Sequence, residues 1–105
     1  MTTQAKHRVE YTQAELSAMI GQSPDVFVLI ADLAEEMNRR HRDILDSADR
    51  QTDKAAYAES LKVAEERKTI ALVAYFAALK LLKGGKLDEV QHVNLETALE
   101  VQDII

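Results

Sequence analysis

The chain has 105 residues, of which 47% are apolar and 30% are charged, and its formal net charge is −5. This apolar content excludes general disorder, and the acidic balance argues against a protein that binds the nucleic-acid backbone directly. The sequence has no cysteine, which excludes disulfide frameworks, thiolate zinc sites and thiol nucleophiles.

The first residues are polar and have neither helical nor strand periodicity, so residues 1–10 are predicted to form a flexible arm. Residues 11–105 are predicted to form one helical domain. Its first helix begins at Thr12, because Thr12 and Glu15 occupy the two positions of a capping box, and it ends near Gly21. Since the start lacks the apolar core of a secretory signal peptide, we expect a cytoplasmic protein.

A second helix is predicted from Pro24 to about Asp46. Ser23 stands at the N-cap, Pro24 at the first helical position, and Asp25 near the positive end of the helix dipole. Apolar residues recur at helical spacing on one side of this segment, and charged residues occupy the other side. The polar segment 47–53 then lets the chain turn back.

A third helix, capped by Asp53 or Thr52, is predicted from Asp53 to Lys83, where Gly84 and Gly85 stop it. Its roughly 31 residues span about 46 Å, so we expect an elongated antiparallel hairpin of the second and third helices. Such a helix needs cover on two sides, because its apolar residues fall on opposite faces. One face carries Leu61, Leu72, Tyr75, Leu79 and Leu82, and the other carries Val63, Ile70, Ala74, Ala77 and Leu81.

A fourth helix is predicted to start after Asp88 and to run to Ile105. It has a broad apolar arc and a narrower acidic strip that could face a basic partner. The apolar arc comprises Leu87, Val90, Val93, Asn94, Ala98, Val101, Ile104 and Ile105. The acidic strip comprises Asp88, Glu89, His92, Glu96, Glu100 and Asp103.

Either the fourth helix covers the second apolar face of the third helix or a second copy of the chain does. We favour self-association as a homodimer or a higher helical-bundle assembly. The function predicted from these features is that of a non-enzymatic adaptor, inhibitor or regulator, which binds another macromolecule through its helical surfaces. We expect a protein partner, no direct contact with nucleic acid and no membrane insertion. The predicted contact residues are Ile70, Val73, Ala77, Leu81, Val101 and Ile104.

A small-ligand site between the second and third helices is the alternative. His41, Glu65 and Lys68 interrupt apolar helix faces, and Tyr75 lies nearby on the face that carries Leu72. Buried charges are costly unless they are paired, so these side chains either satisfy one another or line a polar ligand pocket.

No catalytic or nucleotide-binding motif is found in the sequence. The paired glutamates Glu35, Glu36, Glu65 and Glu66 lack the Glu-x-x-His spacing of helical di-metal sites. We therefore expect no enzymatic activity, no metal and no cofactor.

Overall fold

The structure is a computed structural model that describes residues 10–105, so the predicted arm lies outside the described residues except for Glu10. The predicted all-α class is confirmed, since this part of the chain contains helices and no strand. The α-helices are α1 (Gln13–Gln22), α2 (Pro24–Asp46), α3 (Lys54–Leu82) and α4 (Glu89–Val101), and a single 3-10 turn (Ala48–Arg50) lies between α2 and α3.

The predicted elongated hairpin is confirmed as well. Helices α2 and α3 pack against each other, and α1 and α4 both pack on α3. The radius of gyration is 15.5 Å, whereas a compact domain of this size has a value near 13 Å. The hairpin therefore projects beyond the part of the molecule where all four helices meet.

Capping side chains hold the starts of three helices where the sequence predicts them. The Thr12 hydroxyl accepts a hydrogen bond from the Glu15 N–H at 3.1 Å, and the Glu15 carboxylate accepts one from the Thr12 N–H at 2.8 Å. Asp88 and Gln91 form a second capping box at the start of α4. At the start of α3, the Asp53 carboxylate accepts a hydrogen bond from the Ala56 N–H at 3.0 Å. Ser23 stands at the predicted N-cap of α2 but makes no side-chain cap bond, so Pro24 at the next position marks this start.

Helix α3 ends in a Schellman motif, as the two glycines predict. Gly84 adopts a φ of 81°, the Gly84 N–H donates to the Leu81 carbonyl at 3.0 Å, and the Gly85 N–H donates to the Lys80 carbonyl at 2.8 Å.

The prediction that α4 runs to Ile105 is wrong, because α4 ends at Val101 in a second Schellman motif. Asp103 adopts a φ of 58°, and the Ile104 N–H donates to the Leu99 carbonyl at 2.9 Å. This turn folds the chain back, so Ile104 and Ile105 pack against the core.

The core lies where the four helices meet at the base of the hairpin. Its largest fully buried apolar side chains are Leu16, Ile20, Ile30, Leu95 and Leu99. Small alanines of α3 fill the space between the helices and allow close packing. Farther out the hairpin is only two helices wide, and among residues 35–70 only His41 and Ala64 are buried.

The predicted apolar arc of α4 is only partly correct. Leu95, Ala98 and Leu99 face the core, whereas Val90 and Val101 are 63% and 61% exposed. Apolar residues surround most of this helix, so the periodicity alone leaves several orientations open. Packing against α3 and α2 selects one of them.

None of the described helices is by itself both long and apolar enough to cross a membrane. Helices α1 and α2 reach that length and composition only when they are taken together, across a bend of 99°.

Candidate interaction surface

An open apolar groove lies on one face of the hairpin, beside the end of α4. It consists of two adjoining cavities of 340 and 390 Å³, which share Met37, Arg40 and Arg67 in their walls. We call this surface the hairpin groove. Its lining residues are Leu33, Met37, Arg40, Ile44, Glu59, Ser60, Val63, Ala64, Arg67, Ile70, Ala71, Thr97, Ala98 and Val101.

Helical spacing creates the two long walls of the groove. On α2, Leu33, Met37 and Ile44 recur at steps of four and seven residues, and on α3, Val63 and Ile70 are seven residues apart. Residues with this spacing lie on one side of a helix. All five side chains are half-buried, so each keeps apolar surface that the chain itself does not cover.

The groove lies on a face of α3 that is covered by other helices nearer the base of the hairpin. On the same side of α3, nearer the base of the hairpin, Ala77 and Leu81 are buried in the core. Helix α4 packs on α3 there and ends at Val101, which lies in the wall of the groove with Ile70. The groove thus begins beside the last turns of α4 and continues along this face beyond the end of that helix.

Two arginines place positive charge in the middle of the groove. Arg40 forms an ion pair with Glu36 one turn earlier on α2. Within the described residues, no carboxylate lies at ion-pair distance from Arg67 on α3, and no cationic group lies at ion-pair distance from Glu59. A groove with apolar walls and separate positive and negative groups is better suited to binding another protein surface than to binding a uniformly apolar ligand.

The structure separates the predicted interface residues into two groups. Ile70 and Val101 line the groove, and Val73 is half-buried on α3. Ala77, Leu81 and Ile104 instead pack in or against the chain's own core. Ala77 and Leu81 are thus covered by the same copy of the chain and are closed to a partner in this conformation.

The predicted ligand pocket is not assembled as one site. His41 is buried, and the Lys68 ammonium donates to its Nδ1 at 3.4 Å. Glu65 is exposed and lines a shallow cavity beside Asn94. Tyr75 packs instead against the ring of Phe27, with a centroid distance of 5.4 Å. Of these four residues, the structure brings into hydrogen-bond contact only His41 and Lys68.

A polar cluster that the sequence analysis missed fixes the start of α1 to α4. Glu96 is only 2% exposed, although the sequence places it in an acidic surface strip, and its carboxylate accepts a hydrogen bond from the Tyr11 N–H. His92 Nε2 donates to the Tyr11 carbonyl at 2.6 Å. The sequence signal that could have revealed this burial is the four-residue spacing of Leu95 and Leu99, which marks a core face of α4 next to Glu96.

A side-chain clamp reinforces this attachment. The Gln13 amide donates to the Leu87 carbonyl at 2.7 Å and accepts from the Leu87 N–H at 2.9 Å. The cavity beside the clamp and the Glu96 cluster measures 240 Å³. In the wall of this cavity, Gln13, His92 and Glu96 bond to the backbone of the chain itself, which indicates a structural role.

Residues 10–105 contain no group of three or more His, Asp or Glu side chains that is arranged to hold a metal ion. Comparison of the chain with family models, curated proteins and solved structures found no match.

Proposed function

We propose that this protein is a non-enzymatic interaction protein that forms a homodimer through the hairpin groove and regulates or connects another macromolecule. The observation that carries this proposal is the open apolar groove along the hairpin, which α4 borders only at one end. A pair of helices cannot shield both sides of each other, so the remaining apolar side chains are stabilised only by a further layer.

A second copy of the chain is the partner that best fits this groove. Full burial of one aliphatic side chain contributes roughly 1.5–3 kcal/mol, of which a half-buried side chain still has about half to gain. In a twofold contact each side chain of the groove is used twice. These contributions offset the entropic cost of association, which is about 4–15 kcal/mol. A dimer also accommodates the charges of the groove, since each copy contributes two arginines, Arg40 and Arg67, and one glutamate, Glu59.

The opposite side of the hairpin supports the binding of a different macromolecule. Phe76 is 58% exposed there, and it packs edge to face on Tyr75 with a centroid distance of 5.3 Å. A cavity of 370 Å³ adjoins these rings, and Asp32 and Glu35 lie in its wall. Exposed aromatic residues are typical of interface anchors, and the two carboxylates favour a partner with basic groups.

The small-ligand alternative has weaker support than the interaction function. The His41–Lys68 contact leaves no assembled pocket with Glu65 and Tyr75, which line separate cavities.

The test of the proposed dimer is the molar mass in solution, measured by light scattering over a series of concentrations. We expect twice the 11.8 kDa of one chain at high concentration. Val101→Glu should shift the equilibrium to the monomer, because it places a carboxylate in the apolar wall of the groove.

Val90→Glu is the matched control for this variant. Val90 and Val101 both belong to α4 and are almost equally exposed, but only Val101 lines the groove. The proposal is wrong if the wild-type chain has a mass of 11.8 kDa at every concentration, or if the two variants weaken the dimer equally.

A further inference from the structure

We infer that the two copies of the dimer pair their α3 helices antiparallel, about a twofold axis that passes beside Val63. This inference rests on the proposed dimer and adds its geometry. The arrangement follows from the order of the residues along the part of α3 that faces the groove.

The apolar residues on this side of α3 have heptad spacing. Ala56, Val63 and Ile70 are seven residues apart, as are side chains that form the seam between two paired helices. Val63 and Ile70 are half-buried and Ala56 is exposed, so all three keep surface for a partner. Val63 stands at the centre of this series.

Two opposite charges lie at equal distances from Val63. Glu59 is four residues before it and Arg67 is four residues after it, and both are exposed in the wall of the groove. They are separated by about 12 Å along the helix axis, at 1.5 Å per residue, which is too far for an ion pair within one helix. Neither forms an ion pair with another described residue.

Antiparallel pairing about Val63 joins these charges between the copies. Glu59 of each chain then faces Arg67 of the other chain, and the twofold axis produces the ion pair twice. Ala56 faces Ile70 in the same way, so a small side chain meets a large one. Parallel pairing would instead place glutamate against glutamate and arginine against arginine, which is repulsive.

The arrangement also fits the end of α4. Helix α4 covers the side of α3 near the base of the hairpin and ends at Val101, beside Ile70. The α3 helix of the second copy would begin near that point, and its first turns carry the small residues Ala55, Ala56 and Ala58. The second copy therefore continues the layer that α4 begins.

Crosslinking through a single introduced cysteine tests the position of the axis. The chain has no cysteine, so Val63→Cys can form a disulfide only with its own counterpart in the second copy. Residues beside a twofold axis can approach within the 4.4–6.8 Å between Cα atoms that a disulfide needs. We expect mild oxidation to give a covalent dimer of Val63→Cys and none of Lys62→Cys, which lies on the same helix but outside the groove.

Charge exchange tests the direction of the pairing. Glu59→Arg and Arg67→Glu, each alone, should raise the dimer dissociation constant about tenfold, because each replaces two attractive pairs with two repulsive ones. The double variant restores both pairs and should return to within about threefold of the wild type. Circular dichroism of each variant verifies that these exposed substitutions leave the helices folded.

The outcomes separate this geometry from the proposed function. A monomeric wild type overturns both. A wild-type dimer that is sensitive to Val101→Glu, but in which Val63→Cys does not crosslink or the double charge exchange is no tighter than the single variants, overturns the α3 pairing and leaves the dimer through the groove in place.

Discussion

Substitution of Leu95 by alanine tests the orientation of α4, which sequence periodicity does not decide. Leu95 is fully buried in the core where the four helices meet, whereas Val90 on the same helix is 63% exposed. Leu95→Ala should therefore destabilise the fold strongly, and Val90→Ala should not.

The expected loss follows from the buried volume. The substitution removes three carbon atoms from a site with no solvent exposure, which costs about 2.4 kcal/mol in transfer free energy at ~0.8 kcal/mol per carbon. The cavity that remains adds to this loss, so we expect a decrease of about 3–4 kcal/mol in the free energy of unfolding. The total free energy of unfolding of a small domain is only about 5–15 kcal/mol.

Urea denaturation followed by circular dichroism measures this loss. With an m-value of about 1.5 kcal/mol per molar urea, the midpoint should fall by roughly 2 M. Wild type and variants must be compared at one chain concentration, because the proposed dimerisation would add stability that depends on concentration. Val90→Ala should remain within about 0.5 kcal/mol of the wild type, since it changes an exposed side chain and slightly favours the helix.

A loss below about 1 kcal/mol for Leu95→Ala would refute this reasoning. So would equal losses for the two variants, because they would show that α4 does not present Leu95 to the core.

Three further predictions concern the ends and attachments of the helices. Gln13→Ala removes both hydrogen bonds to the Leu87 backbone, and it should lower the free energy of unfolding, measured by urea titration, by about 1–3 kcal/mol. The control Gln22→Ala, at an exposed position of the same helix, should lower it by less than about 0.5 kcal/mol. Asp103→Gly should raise the free energy of unfolding by about 0.5–1 kcal/mol, since a φ of 58° suits glycine better than aspartate; a lower melting temperature would contradict this. Gly84→Ala should lower the free energy of unfolding by about 1 kcal/mol, because the φ of 81° at this position disfavours a side chain. An unchanged urea midpoint would show that this turn tolerates a side chain.

The sequence by itself determined where the helices begin, because capping is local chemistry. The side chains of Thr12, Asp53 and Asp88 each accept a hydrogen bond from a backbone N–H three residues later. Such bonds need no other part of the chain. The end of α3 was equally predictable, since Gly84 takes the left-handed conformation with little cost.

Part of the candidate surface also followed from the sequence. The apolar surplus of α3 predicted that Ile70 would keep surface for a partner, and Ile70 and Val101 both line the groove. The periodicity could not show that the same chain covers Ala77 and Leu81, because that depends on where α4 packs.

Only the tertiary structure decided the features that join distant segments. Tyr11 and Glu96 are 85 residues apart, yet their hydrogen bond turns a carboxylate of the expected acidic strip into a buried anchor for α1. The same holds for the end of α4, where Asp103 adopts a left-handed conformation that its residue type only tolerates. Local chemistry set the helices, whereas the side that each one buries was selected by the packing that covers the most apolar surface while leaving the fewest polar groups unpaired.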